Sequence, residues 1–318
     1  MADPFASTDA RIACRRPPVI IMGMHRSGTT LVARCLRDTG LFLGADLQTE
    51  YESCFFISIN EEVFRRANAG WDHPSPVGSL VAHDETFRMT LAALRTDLVS
   101  APIRRYLGLR RYFRHRSLSA LDEPWGWKDP RNVFTLPLWL ALFPEAKIIY
   151  VVRNGIDVAA SLTRRAVDWL ALAQRRAARR LQRWSARTAL SRAGYHGSAR
   201  CLTLEGSFSL WEEYLAFADA LLAKIKNERL VVKYEELLGD TRRQVSHLTS
   251  FCGLDAPTAE QMARLLGAID SSRAYAFESS PDLRAYYARV RNQRWMRHYG
   301  YAEIGVAVKD GAVQSGAG

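Results

Sequence analysis

The residues best suited to chemistry lie near the amino terminus, in the segment VIIMGMHRSGTT at positions 19–30. Gly23 and Gly28 have the spacing of the nucleotide-binding loop G-x-x-x-x-G-K-[ST], and Thr30 occupies its Ser/Thr position. A glycine-rich turn that leads into a helix directs several backbone N–H groups, and the positive end of the helix dipole, at one anion. The segment therefore predicts a binding site for a phosphate group.

The loop lacks one residue of that pattern, because Thr29 stands where nucleotide hydrolases have a lysine. Those enzymes also hold magnesium with an aspartate that follows another buried strand. Here the second apolar run, AKIIYVVRN, ends at Arg153, which favours a further phosphate over a metal ion. Ser161 lies in the helix that follows and is predicted to converge with Arg153 on one phosphate. We therefore expect a ligand with two separated anionic groups and no requirement for magnesium.

These positions depend on elements that the sequence pattern also predicts. Short apolar runs alternate with amphipathic segments of helical spacing, which is typical of an α/β fold with a parallel sheet. Ligands of such sheets bind at the carboxyl ends of the strands. The predicted strands are PPVIIMG, AKIIYVVRN and RLVVK, and the predicted helices are TTLVARCLRDTG, GIDVAASLTRR and DTRRQVSHLTSFCGL, the last of which ends at Gly253.

Composition restricts the class of protein. The chain has 318 residues, 48% of them hydrophobic, so it can bury a sizeable core. A formal net charge of +11 predicts an anionic partner, which could be nucleic acid, an acidic membrane surface or a phosphorylated small molecule. Five dispersed cysteines favour reduced thiols and a cytoplasmic location. The apolar window 133–152 contains two prolines and two charged residues, which favours a buried helix, turn and strand over a membrane span.

The simplest division of the chain is a single domain over residues 17–305, with a flexible segment before it (1–16) and a disordered tail after it (306–318). A helical insertion at about 163–200 stands out, because it contains many arginines and only one acidic residue, Asp168. Either it is a solvated helix packed by one face, or it is a lid or a surface for an anionic acceptor.

Two motifs together resemble those of a known family. The segment MHRSGTTL is similar to the 5′-phosphosulfate loop, and VVRNGIDVAASL to the 3′-phosphate motif, of sulfotransferases that use 3′-phosphoadenosine-5′-phosphosulfate (PAPS). The resemblance covers most of residues 17–254, including GWKDPR and LVVKYEELL, and is closest to the bacterial and tyrosylprotein-like branches. It implies a P-loop α/β fold with a central parallel sheet flanked by helices. It also implies a PAPS donor, the product 3′,5′-phosphoadenosine (PAP), and transfer of a sulfuryl group to a hydroxyl or amine.

The residue roles follow from the chemistry and from this resemblance. Negative charge grows on the oxygen that bridges the sulfuryl group to the leaving phosphate, and Arg26 is placed to stabilise it. Lys128, predicted at another strand end, would contact the sulfuryl group, and Tyr234 would contact the adenine. The alternatives without a functional role are a surface arginine for Arg26, a solvated lysine for Lys128 and a core tyrosine for Tyr234. The remaining implied contacts are Ser27, Gly28, Thr29 and Thr30 to the 5′-phosphate, and Arg153 and Ser161 to the 3′-phosphate.

The general base is a separate question. The acceptor must lose a proton, and the segment QTEYESCFF offers Glu50 and Glu52, of which Glu52 is preferred. His25, in the loop itself, and the more distant His83 are alternatives. Cytosolic members of the family use a histidine, so this region departs from their pattern.

Other functions remain open from the sequence. A P-loop kinase or ATPase would fit the glycine loop, although the lysine and the magnesium-binding acid are missing. A nucleic-acid-binding protein would fit the arginine-rich segment, although no recognised motif supports it. The acceptor could be a sugar, tyrosine, lipid, polyketide or peptide antibiotic. Residues 71–83 and the segment after Ser161 are predicted to shape its pocket, and the oligomeric state is open.

Overall fold

Four short strands form one parallel sheet in the computed structural model, which describes residues 10–181 and 197–304. The strand order is β2-β1-β3-β4, so the strand that begins the chain lies between two others. A parallel sheet with covered faces requires strands that are apolar on both sides, and all five residues of β1 are buried. The strands are β1 (Val19–Gly23), β2 (Gly126–Lys128), β3 (Lys147–Val152) and β4 (Arg229–Lys233).

Helices surround this sheet and follow each strand. The predicted central parallel sheet with flanking helices is therefore confirmed. The helices are α1 (Thr29–Asp38), α2 (Cys54–Arg66), α3 (Pro76–Ala82), α4 (Asp84–Val99), α5 (Arg104–His115), α6 (Asn132–Leu142), α7 (Gly155–Leu181), α8 (Leu204–Leu222), α9 (Tyr234–Gly239), α10 (Thr241–Cys252), α11 (Ala259–Gly267), α12 (Pro281–Val290) and α13 (Arg294–His298).

The two faces of the sheet support separate apolar layers, because successive strand residues point to opposite sides. Ile20 and Met22 belong to the larger layer, in which the Trp127 ring stacks on Phe56 with centroids 4.1 Å apart. The smaller layer lies against α1, α10 and α11 and includes Ile21. The central strands are therefore packed on both faces, which fixes the position of their carboxyl ends.

The boundaries of the predicted domain can be compared with the structure only in part. Of the expected flexible segment 1–16, residues from Ala10 onwards are described, and they contact the domain: the Ile12 amide donates to the Leu142 carbonyl at 2.8 Å. Residues 305–318 lie outside the described residues. No helix in the described ranges is long and apolar enough to cross a membrane.

The predicted arginine-rich insertion begins as a continuation of α7. This helix starts after β3 with Asp157 in its first turn and runs without a break through residue 181. Residues 182–196 of the insertion lie outside the described residues. The first part of the insertion is therefore fixed to the sheet by the same helix that carries Ser161.

Candidate active site

A cavity of about 660 Å³ opens at the carboxyl ends of the strands. Each of the four strand ends contributes to its wall: Arg26 after β1, Lys128 at the end of β2, Arg153 after β3 and Tyr234 after β4. Of the ten site residues predicted from the sequence, all line this cavity except Ser27 and Ser161. The sheet therefore brings together side chains that are far apart in the chain.

The loop between β1 and α1 forms one wall of the cavity, and its backbone is strongly turned. Gly28 has φ +97°, a conformation that glycine adopts easily, and Arg26 has φ +69°, which is uncommon for a residue with a side chain. No side chain caps α1 at Gly28, so the first amide groups of the helix lack an intrahelical or side-chain acceptor. The buried Ser27 hydroxyl also has no hydrogen-bond partner among the residues that the structure describes. These unsatisfied donors fit an anion.

Arg26 is the meeting point of the two predicted phosphate motifs. Its Nε donates to the Ser161 hydroxyl at 2.9 Å, and its backbone carbonyl accepts a hydrogen bond from Arg153 at 3.3 Å. Ser161 was expected to converge directly with Arg153, but its hydrogen bond is to Arg26. The first loop and the α7 motif therefore form one continuous cationic surface.

Arg153 is held from several sides and is only 12% exposed. It donates to the Arg273 carbonyl at 2.8 Å and to the Asp157 carboxylate at 3.4 Å, and its guanidinium lies 4.5 Å from the centroid of the Tyr234 ring. The same ring packs on Gly28, where an added Cβ would lie 2.2 Å from it. The Tyr234 ring thus packs between the loop and Arg153, and it also lines the cavity.

A buried ion pair lies on the opposite side of the cavity. Lys128, 2% exposed, donates to the Glu52 carboxylate at 2.5 Å and to the Thr30 hydroxyl at 3.4 Å. The strand end that carries Lys128 is anchored by Asp129, which is fully buried and accepts from Asn60 at 2.9 Å. Burial raises the pKa of the Glu52 carboxyl, although the nearby Lys128 ammonium opposes that shift.

Replacing Lys128 with methionine is expected to lower the free energy of unfolding by on the order of 3 kcal/mol at pH 8, because it leaves the buried Glu52 carboxylate without its partner. The loss should shrink as the pH falls. Without the Lys128 ammonium the folded-state pKa of Glu52 rises further above its unfolded value, so the folded variant binds the extra proton and is stabilised at low pH. Urea unfolding at several pH values measures both effects, and a loss that is independent of pH would contradict them.

The alternative bases differ from Glu52 in their surroundings. Glu50 also lines the cavity, but it is exposed and accepts a hydrogen bond from its neighbour Thr49. His25 packs edge-on against Trp71 with ring centroids 5.1 Å apart, and burial, assisted by nearby cations, lowers its pKa well below the ordinary value. His83 does not line the cavity and instead caps α4. Glu52 is therefore the carboxylate that combines burial, a cation and the cavity wall.

Sequence reasoning assigned no role to three arginines that line the cavity, Arg34, Arg165 and Arg273. Arg165 lies one helical turn beyond Ser161, a spacing that could have indicated a shared face. Arg273 belongs to a segment that has no comparable pattern. Two hydrogen bonds hold this segment beside the cavity: the Phe277 amide donates to Asp157 at 2.9 Å, and Arg153 donates to the Arg273 carbonyl. Partial burial, together with the charges of Arg165, Arg153 and Arg273, lowers the pKa of Arg26. Such crowding of cations favours an anionic ligand.

A second, smaller cavity of about 190 Å³ adjoins the first, since His25 and Arg165 line both. Trp71, from the region predicted to shape the acceptor pocket, lines it, whereas His83 from the same region does not. Trp169, on α7, forms another part of the wall. The segment after Ser161 thus contributes to this pocket as well.

Comparison with protein families gives one match that covers most of the chain. The model of a family described as "Sulfotransferase family" matches residues 17–258. A search of curated proteins gave no match.

Several solved structures are similar. A sulfotransferase from Mycobacterium tuberculosis H37Rv is 15% identical, with 82% of this chain and 72% of that chain covered and a TM-score of 0.44. The sulfotransferase domain from the curacin biosynthetic pathway is 14% identical, covering 87% of this chain and 98% of that one, with a TM-score of 0.46. The sulfotransferase domain of the Synechococcus PCC 7002 olefin synthase is 16% identical, covering 92% and 97%, with a TM-score of 0.45.

Proposed function

The chain belongs to the sulfotransferase family, and from that premise we propose that it transfers a sulfuryl group from PAPS to a hydroxyl or amine of an acceptor. The choice of donor rests on the continuous cationic surface around Arg26, which joins the β1–α1 loop to Arg153 and Ser161. PAPS has two anionic ends, a 5′-phosphosulfate and a 3′-phosphate, and the loop and the α7 motif offer one site for each.

The proposed donor site combines the β1–α1 loop with the strand ends at β3 and β4. The 5′-phosphate would be bound by the amides at the start of α1 and by the hydroxyls of Thr29 and Thr30, where the helix dipole adds to the attraction. The 3′-phosphate would be bound by Arg153 and Ser161. Tyr234 would contact the adenine, since its ring lines the cavity beside the loop.

The proposed reaction is a direct displacement at sulfur. The acceptor oxygen or nitrogen attacks the sulfur atom, the bond from sulfur to the bridging oxygen breaks, and PAP leaves with that oxygen. Arg26 stabilises the charge that grows on the bridging oxygen, and Lys128 stabilises the sulfuryl oxygens. Glu52 takes the proton of the acceptor. No magnesium ion is needed, because arginine and lysine supply the positive charge.

The donor is tested most directly by thermal stabilisation. PAP at a hundredfold excess over its dissociation constant should stabilise the protein by about 2.7 kcal/mol, and raise its melting temperature by several degrees, in the presence of EDTA. Replacing Arg153 with alanine should weaken PAP binding by roughly tenfold or more, because a charge-assisted contact is lost. Calorimetric titration measures the affinity.

The matched control is Arg264→Ala on α11, an exposed arginine that is paired with Glu260 and does not line the cavity, which should leave PAP binding unchanged. Stabilisation by ATP with magnesium but not by PAP would contradict the proposal and favour a kinase or ATPase. Strong salt-dependent binding of DNA or RNA without binding of PAP would favour a nucleic-acid-binding protein.

A further inference from the structure

The second cavity differs in chemistry from the donor cavity that it adjoins. Its walls combine two indole rings, Trp71 and Trp169, with the apolar side chains of Leu162 and Ala166. Its volume of about 190 Å³ suits a single ring with a short substituent. A flat, apolar group would therefore fill it well, because aromatic walls favour stacked or edge-on ring contacts.

One cation in this apolar cavity is not balanced by a carboxylate. The Arg165 guanidinium lies 4.9 Å from the centroid of the Trp71 ring, and within residues 10–181 and 197–304 it forms no ion pair shorter than 4 Å. Arg131, the other arginine of the wall, is paired with Asp129 at 3.3 Å and with Glu61 at 3.0 Å. The surplus charge of the cavity thus comes from Arg165.

The junction with the donor cavity carries an unsatisfied polar atom. His25 lines both cavities, and its Nε2 is buried without a hydrogen-bond partner in the described part of the chain. A buried polar group without a partner is costly, so a ligand group at this junction would be stabilised. The acceptor must enter from such a junction, since its reacting group has to reach the side of the donor cavity formed by Lys128 and Glu52.

Resting on the proposed sulfuryl transfer, we propose that the second cavity binds the acceptor, and that the acceptor is a hydroxylated aromatic compound with an anionic substituent such as a carboxylate. The ring lies among the indole and aliphatic walls, the anionic substituent pairs with Arg165, and the hydroxyl is directed past His25 into the donor cavity. Arg165 thereby selects the acceptor by charge.

Three phenols whose two-carbon substituent ends in a different group test this proposal. They are 3-(4-hydroxyphenyl)propionate, which is anionic, 4-ethylphenol, which is neutral, and tyramine, which is cationic. With the protein saturated by PAP, calorimetry should show the propionate binding at least tenfold more tightly than the other two. Arg165→Gln should remove this preference while leaving the affinity for 4-ethylphenol within about twofold. Arg165 also lines the donor cavity, so the affinity for PAP should fall as well, but by less than the affinity for the propionate.

The control is Arg164→Gln, which removes an exposed arginine from the same helix outside both cavities and should keep the preference. If Arg165→Gln does not fold, Arg165→Lys is used, which keeps the charge and should retain most of the preference. Equal binding of the three phenols, or a loss of PAP affinity as large as the loss of propionate affinity, would overturn the proposal. Failure of PAP to bind the unmodified protein would instead contradict the proposed donor. In that case the three phenols are compared without PAP, and their order of affinity tests the acceptor proposal separately.

Discussion

Replacing Arg26 with alanine is expected to slow sulfuryl transfer by about 10²- to 10³-fold without unfolding the protein. The loss follows from removing a fixed cation beside the bridging oxygen, where negative charge increases in the transition state. The fold should survive because Arg26 is an exposed loop residue at φ +69°, and its replacement removes a side-chain hydrogen bond to Ser161 at the cavity but no residue of either apolar layer. Transfer from labelled PAPS to an acceptor identified by screening measures the rate, and thermal unfolding measures the stability.

A second arginine in the same backbone conformation provides the control. Arg116 has φ +64°, is exposed and ends α5, away from the cavity. Arg116→Ala should change stability about as much as Arg26→Ala does, since both exchange an arginine for alanine in the left-handed region, but it should leave transfer unchanged. Equal rates for Arg26→Ala and the unmodified protein would mean that Arg26 has no part in the chemical step.

The sequence was sufficient to predict the central sheet, since a buried strand and its neighbours leave a strong local pattern. The apolar runs in β1 and β3 are each continuous over at least four residues, and β4 contains the shorter run Leu230–Val232. The strand β2 is only three residues long, too short for periodicity to detect, and its end was inferred from the place of Lys128 between Trp127 and the turn at Asp129. Its parallel pairing with β1 depends on long-range contacts such as the stacking of Trp127 on Phe56.

The site was predictable to the extent that its residues follow strands directly. Arg26 and Arg153 lie at the ends of adjacent strands, so any parallel sheet with this order brings them together. Arg273 is different, because a loop distant in the chain is held at the cavity by hydrogen bonds to Asp157. The pairing of Trp71 with Arg165 across the second cavity likewise depends on tertiary packing, which leaves no pattern in the sequence.

The proposed base differs from an ordinary surface carboxylate in its ion pair. The side chain of Glu52 is 15% exposed and contacts an ammonium that is 2% exposed, so each charge depends on the other. Burial is the larger influence on the carboxyl and raises its pKa above that of a solvated glutamate. A raised pKa makes the carboxylate a stronger proton acceptor once it is ionised, which suits general-base catalysis near neutral pH.

Replacing Glu52 with glutamine should therefore lower the rate of transfer by about 10²- to 10⁴-fold, because the amide cannot accept the acceptor's proton. In the unmodified protein, kcat/KM should fall as the pH drops below the raised pKa of Glu52, since protonation removes the base. Glu52→Gln should lose this acidic limb of the pH profile. The affinity for PAP should change little, because the predicted phosphate contacts lie on Arg153 and on the β1–α1 loop.

Glu50→Gln is the matched control, since Glu50 lines the same cavity but is exposed. Its carboxylate accepts a hydrogen bond from Thr49, whereas the Lys128 ammonium contacts only its backbone carbonyl. It should keep both the rate and the acidic limb. The opposite result, an intact limb in Glu52→Gln and a lost limb in Glu50→Gln, would move the base to Glu50. Loss of the limb in neither variant would direct attention to His25, whose neutral imidazole at the junction of the two cavities could then accept the proton instead.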